Sequence, residues 1–144
     1  MAAAEMTLDA RRAFLTDGTR TAVLATTRED GRPHAAPICF VLDDDDVLFL
    51  TNAETVKGRD LLRDPRVTLV VDDETPPFAF VMIEGTAVTS RDVEDIEQFA
   101  RRISQRYDAG EGTEDFVQFA RVELGMLVRV APTKMVALER VGEK

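Results

Sequence analysis

The chain has 144 residues, 44% of them apolar, and a formal net charge of −9; that length closes one core, expected as a single domain over 1–144, and that apolar content excludes general disorder. So acidic a chain lacks the positive field on which nucleic-acid binding depends, and with no Trp and one Tyr it has few rings for stacking bases. No run approaches the ~20 apolar residues of a membrane span, and a lone cysteine, Cys39, beside an N-terminal segment without a secretory pattern, points to the cytoplasm.

Residues 7–17 (TLDARRAFLTD) carry Leu8, Arg11, Arg12 and Leu15 at helical spacing, with Gly18 as a stop. TRTAVLATT (19–27) is β-branched and alternating, EDGR (29–32) holds an Asp-Gly hairpin turn, and PHAAPICFVL (33–42) predicts a second strand. Pro33 and Pro37 place that strand at an edge or a bulge. Asp43 to Asp46 form the next turn, and VLFLT (47–51) the third strand. The acidic turn lacks the spacing and terminal Glu of a calcium loop, so a solvated hairpin is expected.

A short helix fits 54–63 and ends before Asp64-Pro65. Strands follow at 66–72 and 78–90, with ETPP (74–77) between them and Gly85 as a bulge or a close approach. Residues 92–106 predict an amphipathic helix with Val93, Ile96, Phe99, Ala100 and Ile103 on one face. Arg101, Arg102 and Arg106 on it are expected as solvated cations pairing with its acidic first turns. Thr113 caps a short helix through Ala120, and the last strands are expected at 122–131 and 133–140, broken by Pro132; the tails 1–6 and 141–144 are expected to fray. About seven short strands with hairpin turns indicate a mainly β barrel or sandwich.

The stretch TNAETVKGRDLLRDPRV (51–67) puts Lys57 in the first turn of the predicted helix, where a cation is unfavourable for the helix itself. A phosphate at the helix start, helped by hydroxyls of Thr51 and Thr55 and by Arg59, reverses that penalty. The plainer alternative leaves Lys57 and Arg59 solvated, paired with Glu54 or Asp60. No P-loop pattern is present.

VLATTREDGRPHAAPICFVLD, VLFLTNAETVKGRDLLRDPRV and FVMIEGTAV, in that order and spacing, resemble the pyridoxamine-5′-phosphate oxidase-like family. The resemblance covers 19–89, about half the chain, and is nearest the actinobacterial branch that uses the deazaflavin coenzyme F-420 as well as, or instead of, FMN. It implies a split β-barrel of the FMN-binding-protein type with six to seven antiparallel strands, and a homodimer with the cofactor in a groove between two barrels. In the family, the position matching Lys57 contacts the cofactor phosphate, and those matching Leu50, Thr51, Thr55 and Val56 line the same site. Pro37, Ile38, Cys39 and Phe40 match the strand along the ring.

Two departures argue against pyridoxamine phosphate oxidation. AAPICF (35–40) lacks the family's second phosphate-binding Arg, and Phe80 stands where the oxidases carry Gln. There is also no match to their Trp- and Arg-bearing C-terminal segment. The expectation is an F-420- or FMN-dependent oxidoreductase reducing a small unsaturated or quinone-like molecule, with no metal and no assigned catalytic side chain. A carrier without turnover, and a haem-binding relative with His34 as the only histidine ligand, are the rivals. Otherwise His34 is a surface or edge residue, Cys39 packs in an apolar strand, and Phe78 and Phe80 serve the core or a dimer interface.

Overall fold

The computed structural model describes residues 3–142. In chain order the elements are β1 (Ala4–Glu5), α1 (Leu8–Thr16), β2 (Ala22–Thr27), β3 (Pro33–Ile38), β4 (Val41–Asp43), β5 (Asp46–Asn52), α2 (Val56–Arg63), β6 (Arg66–Asp73), β7 (Phe78–Ser90), α3 (Val93–Tyr107), α4 (Thr113–Phe119), a π-helical turn (Ala120–Leu124) and β8 (Gly125–Val141). Among the described residues the strands form one antiparallel sheet ordered β3-β2-β6-β7-β8-β5-β4, with β1 added to β8.

Local chemistry sets these elements. The Thr7 hydroxyl accepts the Ala10 N–H at 3.0 Å and starts α1. The Asp92 carboxylate does the same for α3, accepting from Glu94 and Asp95. Gly31, at φ +88, makes the β2–β3 turn, which the Arg28 N–H closes onto the Arg32 carbonyl at 2.9 Å. Alternation along β2, β6 and β7 sends Leu24, Leu69, Val81 and Ile83 into the barrel with Phe40, Phe49 and Val128. β5 is buried on both faces: Phe49 enters the barrel, while Leu48 faces a second cluster under α3 and α4 with Ile96, Phe99 and Ile103. That explains its unbroken apolar run.

Several expectations need correction. The strand expected over 33–42 is two: β3 ends at Ile38 and β4 begins at Val41, because Cys39 and Phe40 carry the chain from one end of the sheet to the other. The two strands expected after 122 are one. Pro132 lies opposite Gly85, where the β7–β8 register shifts, so its missing N–H falls at an irregularity of the ladder and does not end β8. Residues 122–124 belong to the π-helical turn instead. The tails are ordered where they are described: Ala4 and Glu5 pair with Glu139 and Leu138, and Val141 pairs with Phe78; residues 1–2 and 143–144 lie outside the described part. The acidic turn is not merely solvated: Arg129 bridges Asp43 at 2.9 Å and Asp46 at 3.0 Å. No helix of the described residues is long and apolar enough to cross a membrane.

Candidate functional site

The barrel is split where β3 and β4 meet. They are the two ends of the sheet and make no ladder with each other among the described residues. Beside the split is a cavity of about 290 Å³. Pro37, Ile38 and Cys39 form one side, Leu50 of β5 another, and Lys57 of α2 one end. The rest of the lining is helical: Ile103, Ser104 and Tyr107 of α3, Asp108 just after it, Phe116 of α4 and Leu124 of the π-helical turn. Five of the ten residues singled out in the sequence therefore line one cavity.

Lys57 gets there because α2 starts tight against the end of β5. The Thr55 hydroxyl accepts the Gly58 N–H at 3.2 Å and donates to the Asn52 carbonyl at 2.7 Å. A Cβ on Gly58 would overlap the Asn52 carbonyl oxygen and lie 2.9 Å from the Ala53 Cα. Glycine after Lys57 is thus a packing requirement. At the other end, the buried Asp60 accepts the Thr26 hydroxyl at 2.8 Å and the Arg63 guanidinium at 3.2 Å, which docks α2 on β2. Lys57 is half-buried, and no ion pair among the described residues involves it.

The other singled-out residues sit differently. The expected hydroxyl donors are not available: Thr55 spends its proton on Asn52, and Thr51 is buried with its hydroxyl 3.5 Å from that of Thr55. Phe40 is buried in the barrel behind the cavity, and Val56 and Arg59 are exposed outside it. Asp60 pairs with Arg63, so the expected pairing with Lys57 or Arg59 does not form. Cys39 is exposed at the cavity edge, not packed in the core, because it lies on the crossing between strands with its side chain opposite to those of Ile38 and Phe40. Partial desolvation there pushes its thiol pKa up, opposed by the Arg106 charge. His34 faces Thr26 across β2–β3 and does not line the cavity.

The helical wall was not found in the sequence. Ile103 was legible only as part of a packing face of α3 and Tyr107 only as the single tyrosine, while nothing local marked Phe116 of α4 or Leu124 of the π-helical turn. The Tyr107 hydroxyl accepts the Phe40 N–H at 3.0 Å and donates to the Arg20 carbonyl at 2.7 Å. Burial pushes its pKa up. The expected solvated arginines are engaged elsewhere. Arg101 pairs with Glu114 of α4 at 2.5 Å, and Arg102 donates to the Leu42 carbonyl. Arg106 donates to the carbonyls of Phe40 (2.9 Å), Leu15 (2.7 Å) and Gly18 (3.0 Å), and burial lowers its pKa. Asp108 closes the end of α3, its Oδ1 accepting from the Ser104 hydroxyl at 2.8 Å and the Gly110 N–H at 3.1 Å.

An unpaired cation at a helix start, walls that are mostly apolar beside Ser104 and Asp108, and a free strand edge together suit a ligand with a planar apolar body and an anionic group held at Lys57. Among the described residues, no group of three or more His, Cys, Asp or Glu could hold a metal ion.

Comparison with known proteins agrees on the fold. A conserved hypothetical protein, Rv2991, from Mycobacterium tuberculosis superimposes with a TM-score of 0.83 at 24% identity, covering 94% of this chain and 86% of its own. An F-420 reductase gives 0.67 at 23% identity over 85% of this chain and 94% of its own. The haem storage protein HutZ from Vibrio cholerae gives 0.73 at 22% identity over 92% and 96%. A search of curated proteins gives no match. The model of the pyridoxamine 5′-phosphate oxidase family matches residues 7–135. The chain therefore belongs to the pyridoxamine 5′-phosphate oxidase family, a flavin-binding family of split β-barrels.

Proposed function

We propose that this protein is a cytosolic flavin- or deazaflavin-dependent oxidoreductase, most specifically a coenzyme F-420-dependent reductase acting on a small unsaturated or quinone-like compound. The observation that carries this reading is Lys57: an unpaired, half-buried cation at the start of α2, lining a mostly apolar cavity. The residues fit such a cofactor. Lys57 would hold its phosphate, aided by the Val56 and Lys57 N–H groups of the first turn of α2, since the Gly58 N–H is taken by the Thr55 hydroxyl. Arg59, exposed outside the cavity, would meet only a longer anionic tail. The edge formed by Pro37 to Cys39 would lie along the ring, since an edge strand leaves alternate backbone groups unpaired. Ile103, Phe116 and Leu124 would exclude water from the other side.

When bound, the cofactor supplies the hydride chemistry, and the chain supplies binding, orientation and a dry wall. Pyridoxamine phosphate oxidation is not proposed, because this chain has no Trp and carries Phe80 and the Arg-free AAPICF at the departing positions. FMN in place of F-420 is the alternative cofactor, and a carrier without turnover the alternative role. His34 stands away from the cavity, which gives the haem reading no histidine ligand there.

A cavity of about 290 Å³ is small for a whole dinucleotide-sized or tailed cofactor, which favours a site completed by a second copy. A surface for that copy is present. Val23, Val70, Met82 and Val136 are cross-strand neighbours in one row over β2, β6, β7 and β8, and Val23 is exposed on the outer face. We propose a homodimer that buries this row.

The test is a fluorescence titration of cofactor-stripped protein with F-420 and with FMN separately. Micromolar or tighter F-420 binding with weak FMN binding supports the reductase, and an acceptor screen then separates it from a carrier. The opposite preference selects FMN, and binding of neither removes the proposal.

A further inference from the structure

The split leaves a problem at Phe40. This residue crosses from β3 to β4, outside any ladder, and its side chain is fully buried. Its N–H and C=O still require partners. Adjacent residues at the end of α3 supply them: Tyr107 takes the N–H at 3.0 Å, and Arg106 donates to the carbonyl at 2.9 Å with its guanidinium 4.6 Å from the Phe40 ring centre. The same two side chains also hold the α1–β2 connection, Arg106 through the Leu15 and Gly18 carbonyls and Tyr107 through that of Arg20. The end of α3, the β3–β4 crossing and the chain leading into β2 thus meet at one point.

We propose that Tyr107 and Arg106 are positioning residues that lock the split and thereby fix the cavity edge Pro37–Cys39 against which the cofactor ring lies. The ligand part of this inference rests on the function proposed above; the locking of the edge does not. Tyr107 has a double place, because its ring is cavity wall while its hydroxyl is the latch. Its proton is committed to the Arg20 carbonyl at 2.7 Å, with the Phe40 carbonyl at 3.1 Å as the other acceptor. Tyr107 therefore acts through the backbone it holds and not as a proton donor to a ligand.

The experiment compares wild type with Tyr107→Phe, which keeps the wall and removes the latch, and with Arg106→Lys, which keeps the charge and removes the fork. Two readouts are taken well below each protein's Tm. The first is the affinity and bound-state absorption spectrum of F-420 and FMN. The second, without cofactor, is the rate at which iodoacetamide alkylates Cys39, which sits exposed on the edge in question. The expected result for Tyr107→Phe is affinity weaker by about tenfold, corresponding to the loss of one hydrogen-bonded constraint, together with a shifted bound spectrum and faster alkylation. Arg106→Lys should move each readout in the same direction, and it carries the test if Tyr107→Phe does not fold. A purely structural role would lower Tm yet leave the bound spectrum as in wild type, and that result overturns the assignment. If wild type binds neither cofactor, the proposed function falls; unchanged Cys39 alkylation in the folded variants then overturns the latch as well, and faster alkylation upholds it.

Discussion

Gly58 has no room for a side chain, and this fixes where Lys57 points. Alanine is the better helix former by about 1 kcal/mol, so propensity alone favours Gly58→Ala. The overlap with the Asn52 carbonyl oxygen opposes it, and backbone gives way poorly. The clash should win, with a net loss of about 1–3 kcal/mol, seen as a lower denaturation midpoint. A second residue-scale expectation concerns Cys39. Desolvation raises its thiol pKa above the ordinary value of 9.0, and the Arg106 charge offsets this only in part. The thiolate is the reactive form. Cys39 should therefore be accessible yet slow at pH 7–8, and its alkylation rate should still be climbing above pH 9. A plateau at or below pH 8 would contradict that environment.

At the scale of elements, α2 docks through the buried Asp60 carboxylate, the Arg63 bond to the Thr27 carbonyl and Leu61 in the core. Asp60→Ala would leave the buried Thr26 hydroxyl without its acceptor and the Arg63 guanidinium with only the Thr27 carbonyl, at a cost of about 1–3 kcal/mol. A double-mutant cycle with Thr26→Val should show strong coupling, and additivity of the two changes would mean that α2 docks by the other contacts alone. Elements with a strong period were legible in the sequence. β7 has the expected bounds, and α3 is within one residue of them, because alternation and a 3.6-residue stripe follow directly from the face each buries. Of the ten positions singled out for the site, mostly through the family resemblance, Pro37–Cys39, Leu50 and Lys57 line one cavity and the other five do not. What was not legible depends on long-range contact. The Phe40 to Tyr107 bond joins positions 67 apart, and no local pattern marks either partner. Pro132 looked like a strand end because its tolerance depends on a bulge set by β7. The direction of the Thr55 hydroxyl was missed because its acceptor, the Asn52 carbonyl, becomes available only when α2 folds back on β5.

At the scale of the whole molecule, an acidic chain presents one unpaired lysine to a mostly apolar cavity at the split of its barrel. The net charge of −9 opposes an anionic ligand at long range, so binding must come from short-range contacts. The outer apolar row implies a further property. Met82→Arg, in the middle of that row, should convert a dimer to a monomer in sedimentation velocity with little change in Tm, whereas a wild-type monomer would remove the dimer proposal. The most direct test is the cofactor titration repeated on Lys57→Ala. A charge-assisted phosphate contact contributes about 1.5–3 kcal/mol, so affinity should fall roughly tenfold to a hundredfold while Tm stays at the wild-type value. Equal affinity in the variant would mean that the cavity beside the split does not hold the cofactor through Lys57.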